Sequence, residues 1–181
     1  FILIFDVTVT SDLPAITGEG SVVLSQAPGT QITLDNDRLF RVHADHTRFK
    51  DLQISIETAE TVFELNSNDN ELDGITLVSA QPNQPKQAIS VSASKNVVAN
   101  TQIIGCGDQG SQIKGSNANN NQILDTVITG ATAAPKVNKA AILIEEGSGN
   151  SLVGNVVVDN SVSGITLRKA QSTMIAHTTL A

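Results

Sequence analysis

The chain has 181 residues, with no Trp, no Tyr, five Phe, one Met and one Cys, and 40% of it is apolar. That is one domain's worth of chain, or one elongated repeat array, with enough apolar mass for a core. Eleven basic residues against eighteen acidic ones give a net charge of −7; that sign repels phosphate backbones and, without stacking aromatics, excludes nucleic acid as a partner.

No apolar run approaches the roughly 20 residues of a membrane span, so membrane insertion is not expected. The lone Cys106 cannot form an internal disulfide and leaves the compartment open. The chain begins at Phe1 rather than Met, which predicts a processed or truncated product without an export signal of its own.

Residues 1–20 read as an N-terminal strand with a capping segment that leads into the coils, and residues 21–181 as the repeat array. The opening Phe1, Ile2, Leu3, Ile4 and Phe5 form the strongest aggregation-prone window of the chain. They are either the first strand, flattened over the first coil, or an assembly joint that stacks on another copy or a flanking domain.

Further along, short alternation rich in Val, Ile and Thr recurs between clusters of Asn, Gly, Ser and Asp, and no capped helical stripe is found. One set of offsets selects Phe40, Val42, Phe49, Leu52 and Ile54, then Phe63, Leu65, Leu72, Ile75 and Leu77, then Ile89, Val91, Val98, Thr101 and Ile103. With one inserted residue it selects Ile113, Gly115, Ile123, Thr126 and Ile128. Ile142, Ile144, Leu152, Asn155 and Val157 follow, and a partial copy gives Ile165, Leu167, Met174, His177 and Thr179. First positions 40, 63, 89, 113, 142 and 165 are separated by 23, 26, 24, 29 and 23 residues. Variable steps with fixed internal offsets predict a coil of three short strands joined by elastic turns. About seven such coils, at roughly 4.8 Å per rung, make a rod near 34 Å long.

The extra length falls in residues 79–87 and 130–140, each just before a first-column strand, so both should project from one edge. Two residues before the third column stand Asn70, Asn96, Asn121 and Asn150, flanked by Thr47 and Ser172. Asn tolerates a left-handed bend, and its amide can hydrogen-bond along a stack, so this column predicts a structural ladder at a corner. Thr101, Thr126, Asn155 and His177 form a second polar column near a corner.

The pattern resembles the right-handed parallel β-helix superfamily, the pectate-lyase-like solenoids. The run "NSLVGNVVVDN" (150–160) is similar to the repeat unit of NosD-like periplasmic copper-binding β-helices. "VTVTSDLPAITGEGSVVL" (7–24) resembles the opening of CSLREA and polymorphic outer-membrane-type bacterial surface β-helices. These resemblances imply an all-β, right-handed, single-stranded parallel β-helix and an extracellular or cell-surface location.

Outward positions stack as faithfully as inward ones, which sets Arg41 beside Glu64, His43 beside Asn66 and Glu145 beside Arg168 as modest surface pairs. The richest polar patch, residues 34–51, offers Arg41, His43 and Asp45, with Glu64 one coil on, as the catalytic set of a polysaccharide lyase or epimerase. Enzymes of this fold collect their sites from several coils, whereas these groups lie mostly along one, and polygalacturonase-type motifs are absent. No metal site is expected, because His43 and His46 stand three apart at a strand end and His177 is remote. Cys106 reads as a buried thiol, and no cofactor is implied. The expected function is therefore a non-catalytic structural module, an adhesin stalk or self-stacking filament subunit; its rival is a carbohydrate-active enzyme with an acidic polysaccharide as partner.

Overall fold

The computed structural model describes residues 2–3, 7–11, 13–18, 23–26, 31–35, 38–79, 81, 85–131 and 139–181. Every helix or strand assigned among them is a β-strand, and the strands pair in parallel. Each coil passes through three sheets, A, B and C, in that order. Arg48–Lys50, Gln53–Thr58 and Thr61–Leu65 make one coil; Glu71–Asp73, Thr76–Ser79 and Gln87–Val91 make the next.

Among the described residues, sheet A has eight strands, from Ile2–Leu3 to Met174–Ala176, and sheet B eight, from Val7–Val9 to Thr179–Leu180. Sheet C has six, from Arg38–Val42 to Ser163–Arg168. The described residues thus form a parallel β-helix of six full coils with an extra A and B pair at either end, against about seven expected. Below the first coil, Ile16 bridges Val42 where a sheet C strand would lie.

The core follows from columns of aliphatic side chains that meet their own kind one rung away. Phe49, Leu72, Val98, Ile123 and Leu152 fill one column, and Ile54, Leu77, Ile103, Ile128 and Val157 another, none more than 2% exposed. Burial of such side chains is worth about 1.5–3 kcal/mol each. Phe40, Phe49 and Phe63 meet near the N-terminal end, with ring centroids 4.8–5.3 Å apart.

The C-to-A and A-to-B corners each carry a left-handed residue at one position in register along the coils. Between sheets C and A they are His46, Asp69, Lys95, Asn120, Gly149 and Ser172, with φ from 50° to 69°. Between A and B they are Asp51, Gly74, Asn100, Asp125, Gly154 and His177, with φ from 46° to 71°. Gly, Asn and Asp dominate because they tolerate this conformation best. Two of the three histidines thus serve as turn residues.

Two parts of the predicted register are corrected. Ile89 pairs with Ser111, and Ser111 with Ile142, so the fourth first-column residue is Ser111 and not Ile113; Ile113 is its second-column residue, in place of Gly115. The steps around it become 22 and 31 (89 to 111, 111 to 142). Polar Ser111 breaks the apolar pattern, and the following corner is longer: Ile113 to Ile123 spans ten positions where Val91 to Val98 spans seven. In the last copy Leu152 pairs with Ile175 and Val157 with Leu180. Ile175, Thr178 and Leu180 therefore replace Met174, His177 and Thr179, and Thr173 replaces Ser172 beside the Asn column. The cause is a corner one residue longer than in the early coils.

Both lengthened connections, 79–87 and 130–140, run from sheet B to sheet C, at a single corner. Their central residues lie outside the described ones. Of the predicted joint, Ile2–Leu3 pairs in sheet A with Ser25 and Gln26; Phe1, Ile4 and Phe5 also lie outside the described residues.

Candidate functional site

The Asn column forms a hydrogen-bonded ladder inside the C-to-A corner. The backbone N–H groups of Thr47, Asn70, Asn96 and Asn121 donate to the side-chain oxygens of Asn70, Asn96, Asn121 and Asn150 at 2.8–2.9 Å. All four asparagines are at most 1% exposed. Each side chain thus satisfies a backbone donor that the turn withdraws from both sheet and water. Asn155 and Asn160 act similarly at the other corners, accepting from the N–H groups of Thr126 and Ala131 at 3.0 and 2.8 Å.

At the predicted catalytic patch, Arg41 and Glu64 are register partners, and Ser90 follows Glu64 one coil on. Arg41 is half-buried: its Nη2 donates to the Leu13 carbonyl at 3.2 Å, and its Nε has no hydrogen-bond partner. Residues 13–16 run along this side, with Ile16 N–H donating to Arg41 O at 2.9 Å and His43 N–H to Ile16 O at 2.8 Å. The His43 ring is exposed. Asp45 is also exposed, and its carboxylate accepts from the Asn68 N–H at 2.6 Å. The four residues therefore share one side of the first two coils, with Asp45 bonded to a turn of the neighbouring coil.

The wider charge pattern follows the rungs. Arg48 pairs with Glu71 at 3.2 Å, Lys50 with Asp73 at 3.6 Å and Arg168 with Glu145 at 3.1 Å, and each pair is a register partnership. Lys114 reaches the same Glu145 from the other side at 3.7 Å. Lys86–Glu60 and Lys139–Asp108 also join adjacent coils.

A polar cleft of about 390 Å³ opens at the C-to-A corner of the later coils. Ser116 and Asn119 come from one coil, Glu146 and Ser148 from the next, and Lys169 and Gln171 from the third. Glu146 and Lys169 stand 3.8 Å apart across it. The Glu145–Arg168 neighbourhood was legible in the sequence. The cleft was not, because it depends on the longer corner after Ile113 and on the corrected register.

Cys106 is buried at the end of its sheet B strand, beside Ala131 of the next coil. Burial, with a smaller contribution from Asp108, pushes its thiol from about 9 up to about 12. The protonated thiol is a poor nucleophile.

Three-sheet parallel coils with ladders at their corners define a β-helix protein. Residues 14–181 match the family model described as "Periplasmic copper-binding protein (NosD)", and the chain belongs to the NosD family. No curated protein and no solved structure matches it.

The chain's donors do not fit the copper of that description. Copper takes imidazole, thiolate or thioether ligands, and this sequence has three His, one Cys and one Met. His43 and His46 lie beside the first full coil, Cys106 on the fourth, and Met174 and His177 beyond the sixth. At roughly 4.8 Å per rung, Cys106 is about 14 Å from the first pair, far beyond two ligands of one ion. Among the described residues, no three of His, Cys, Asp and Glu gather to hold a metal ion.

Proposed function

We propose that the chain is a non-catalytic structural β-helix module working outside the cytoplasm, as an adhesin stalk or self-stacking filament subunit. One observation carries this reading: charged side chains pair with register partners on neighbouring coils instead of converging on a reaction centre. Such pairs contribute little singly, roughly 0–1 kcal/mol, and in series they favour correct register over slipped pairing. The periplasmic description of the NosD family supports the location.

The last described rung presents an apolar face that a further rung, of this chain or of a second copy, can cover. Leu167, Ile175 and Leu180 are 45–55% exposed, whereas Ile144, Leu152 and Val157 one coil below are at most 1% exposed. A rung laid on them buries apolar surface worth about 25 cal/mol per Å².

Light scattering on the purified chain, on Ile175→Lys/Leu180→Lys and on a chain lacking residues 1–5 tests the assembly. Linear assemblies that shrink in the variants are the expected result. Monomers throughout would remove the filament subunit. Incubation with a uronate polysaccharide separates the rival reading: turnover that disappears in Arg41→Ala would establish an enzyme.

A further inference from the structure

The three sheets do not share the chain's charge evenly. Sheet A carries Arg48 with Glu71 and Lys50 with Asp73 on its outer face, and sheet C carries Arg41 beside Glu64. Sheet B is different. One of its outward columns runs through Gln53, Thr76, Gln102, Val127, Val156 and Thr179. The other runs through Thr33, Ser55, Val78, Ile104, Thr129 and Val158. Neither column holds a charged residue, although 16% of the chain is charged.

The face also exposes apolar side chains at its centre. Away from the C-terminal end, the two most exposed large apolar residues among those described are Val78 and Ile104, at 39% and 40%. They are register partners on the fourth and fifth strands of the eight. Depletion of charge, more than bulk hydrophobicity, marks the centre of a protein interface. From Thr76 onward, every outward residue of the two columns except Gln102 is β-branched. Such side chains are already restricted at χ1, so docking orders little that was free.

Area and spacing narrow the occupant. Eight strands about 4.8 Å apart and about four residues long present roughly 500 Å². Two such faces together bury about 1,000 Å², which is enough for a specific interface. A face ridged at the rung interval packs best on one ridged at the same interval, as stacked sheets do at about 10 Å. The other two sheets of a second copy present charged pairs, which an uncharged face would strip of water without offering a partner. A second copy's sheet B has the matching ridges and no charge to desolvate.

We infer that two copies of the chain pair side by side through their sheet B faces, with Val78, Ile104, Thr129 and Val158 at the centre of the contact. The contact lies on the flank of the rod and does not depend on stacking at its ends.

Sedimentation velocity on the full chain carrying Ile175→Lys/Leu180→Lys tests the inference, because these changes take the end rung out of the measurement. A monomer–dimer equilibrium with a dissociation constant below about 100 μM is expected. Adding Gln102→Glu or Ile104→Glu brings like charges together across the contact and should weaken it at least about tenfold. Gln102 is already polar and exposed, so a dimer lost in that variant is not a lost fold. Lys169→Glu, at an exposed corner, shifts the net charge twice as far and should leave the dimer intact. Amide shifts on dilution should follow the strands of sheet B. An unchanged dimer in both Glu variants, or dilution shifts on sheet A or sheet C, overturns the inference. A chain that stays monomeric at about 100 μM also overturns it and leaves the face to an unlike partner.

Discussion

The backbone N–H of Asn70 donates to the side-chain oxygen of Asn96, one coil away, at 2.9 Å and out of contact with water. This bond, repeated from Thr47 to Asn150, ties the tightest bends of successive coils together. It does locally what the sheet ladders do elsewhere, where the turn has removed their hydrogen bonds.

Asn121→Ala should therefore leave the Asn96 N–H buried without its acceptor. A loss of about 1–3 kcal/mol is expected, read as a lower urea midpoint at unchanged slope. A midpoint equal to the wild type would show that the ladder contributes nothing net.

One rung of this ladder is incomplete. The Asn70 side-chain nitrogen donates to Ser67 O and Oγ at 2.9 and 3.0 Å, whereas that of Asn96 is buried without a partner. The register partner of Ser67 is Ala93. Ala93→Ser should supply the missing acceptor and stabilise the fold by about 0.5–1.5 kcal/mol. A drop in thermal midpoint would show that the hydroxyl does not fit.

Ser111 sits between Ile89 and Ile142 in an inward column, fully buried, with an unpartnered hydroxyl. Ser111→Ala removes this uncompensated group, and a gain of about 1 kcal/mol is expected. Chemical denaturation checks it; destabilisation would mean that the hydroxyl is satisfied in solution.

The Cys106 thiol has its folded value raised to about 12 from about 9. The unfolded chain loses this proton first, so the thiol's contribution to stability is complete below about pH 9. It is then lost as pH rises toward about 12, at roughly 1.4 kcal/mol per pH unit. Comparing wild type with Cys106→Ala between pH 8 and pH 11 isolates this slope. Parallel stability profiles would contradict the burial argument.

Copper titrated into the chain should find no tight one-to-one site, since its His, Cys and Met donors are spread from the first full coil to beyond the sixth. Calorimetry with Cu(II), and with Cu(I) under reducing conditions, checks this. A stoichiometric site abolished in Cys106→Ala would refute it.

The coiled architecture was legible because its cause is periodic. Phe40, Phe63 and Ile89 recur at the same offset from Phe49, Leu72 and Val98, and these residues do stack. Legibility failed where a position departs from its column. Ser111 is polar in an apolar column, so the fourth copy slid two residues, and the longer corners displaced the last copy by one. Arg41 and Glu64 do fall on neighbouring rungs, as their shared offset predicts. The cover over Arg41 by residues 13–16 was not foreseeable, because it rests on a single bridge between residues 26 apart and one side-chain bond between residues 28 apart.

The sequence by itself determined that the chain coils, which faces turn inward and where asparagine marks a bend, because those features repeat with the period of the strand and of the coil. Only the tertiary structure decided which rung each residue joins and where a corner opens into a cleft. Rung membership depends on the summed lengths of all preceding turns, and a turn absorbs extra residues with little energetic penalty until the next strand finds its neighbours.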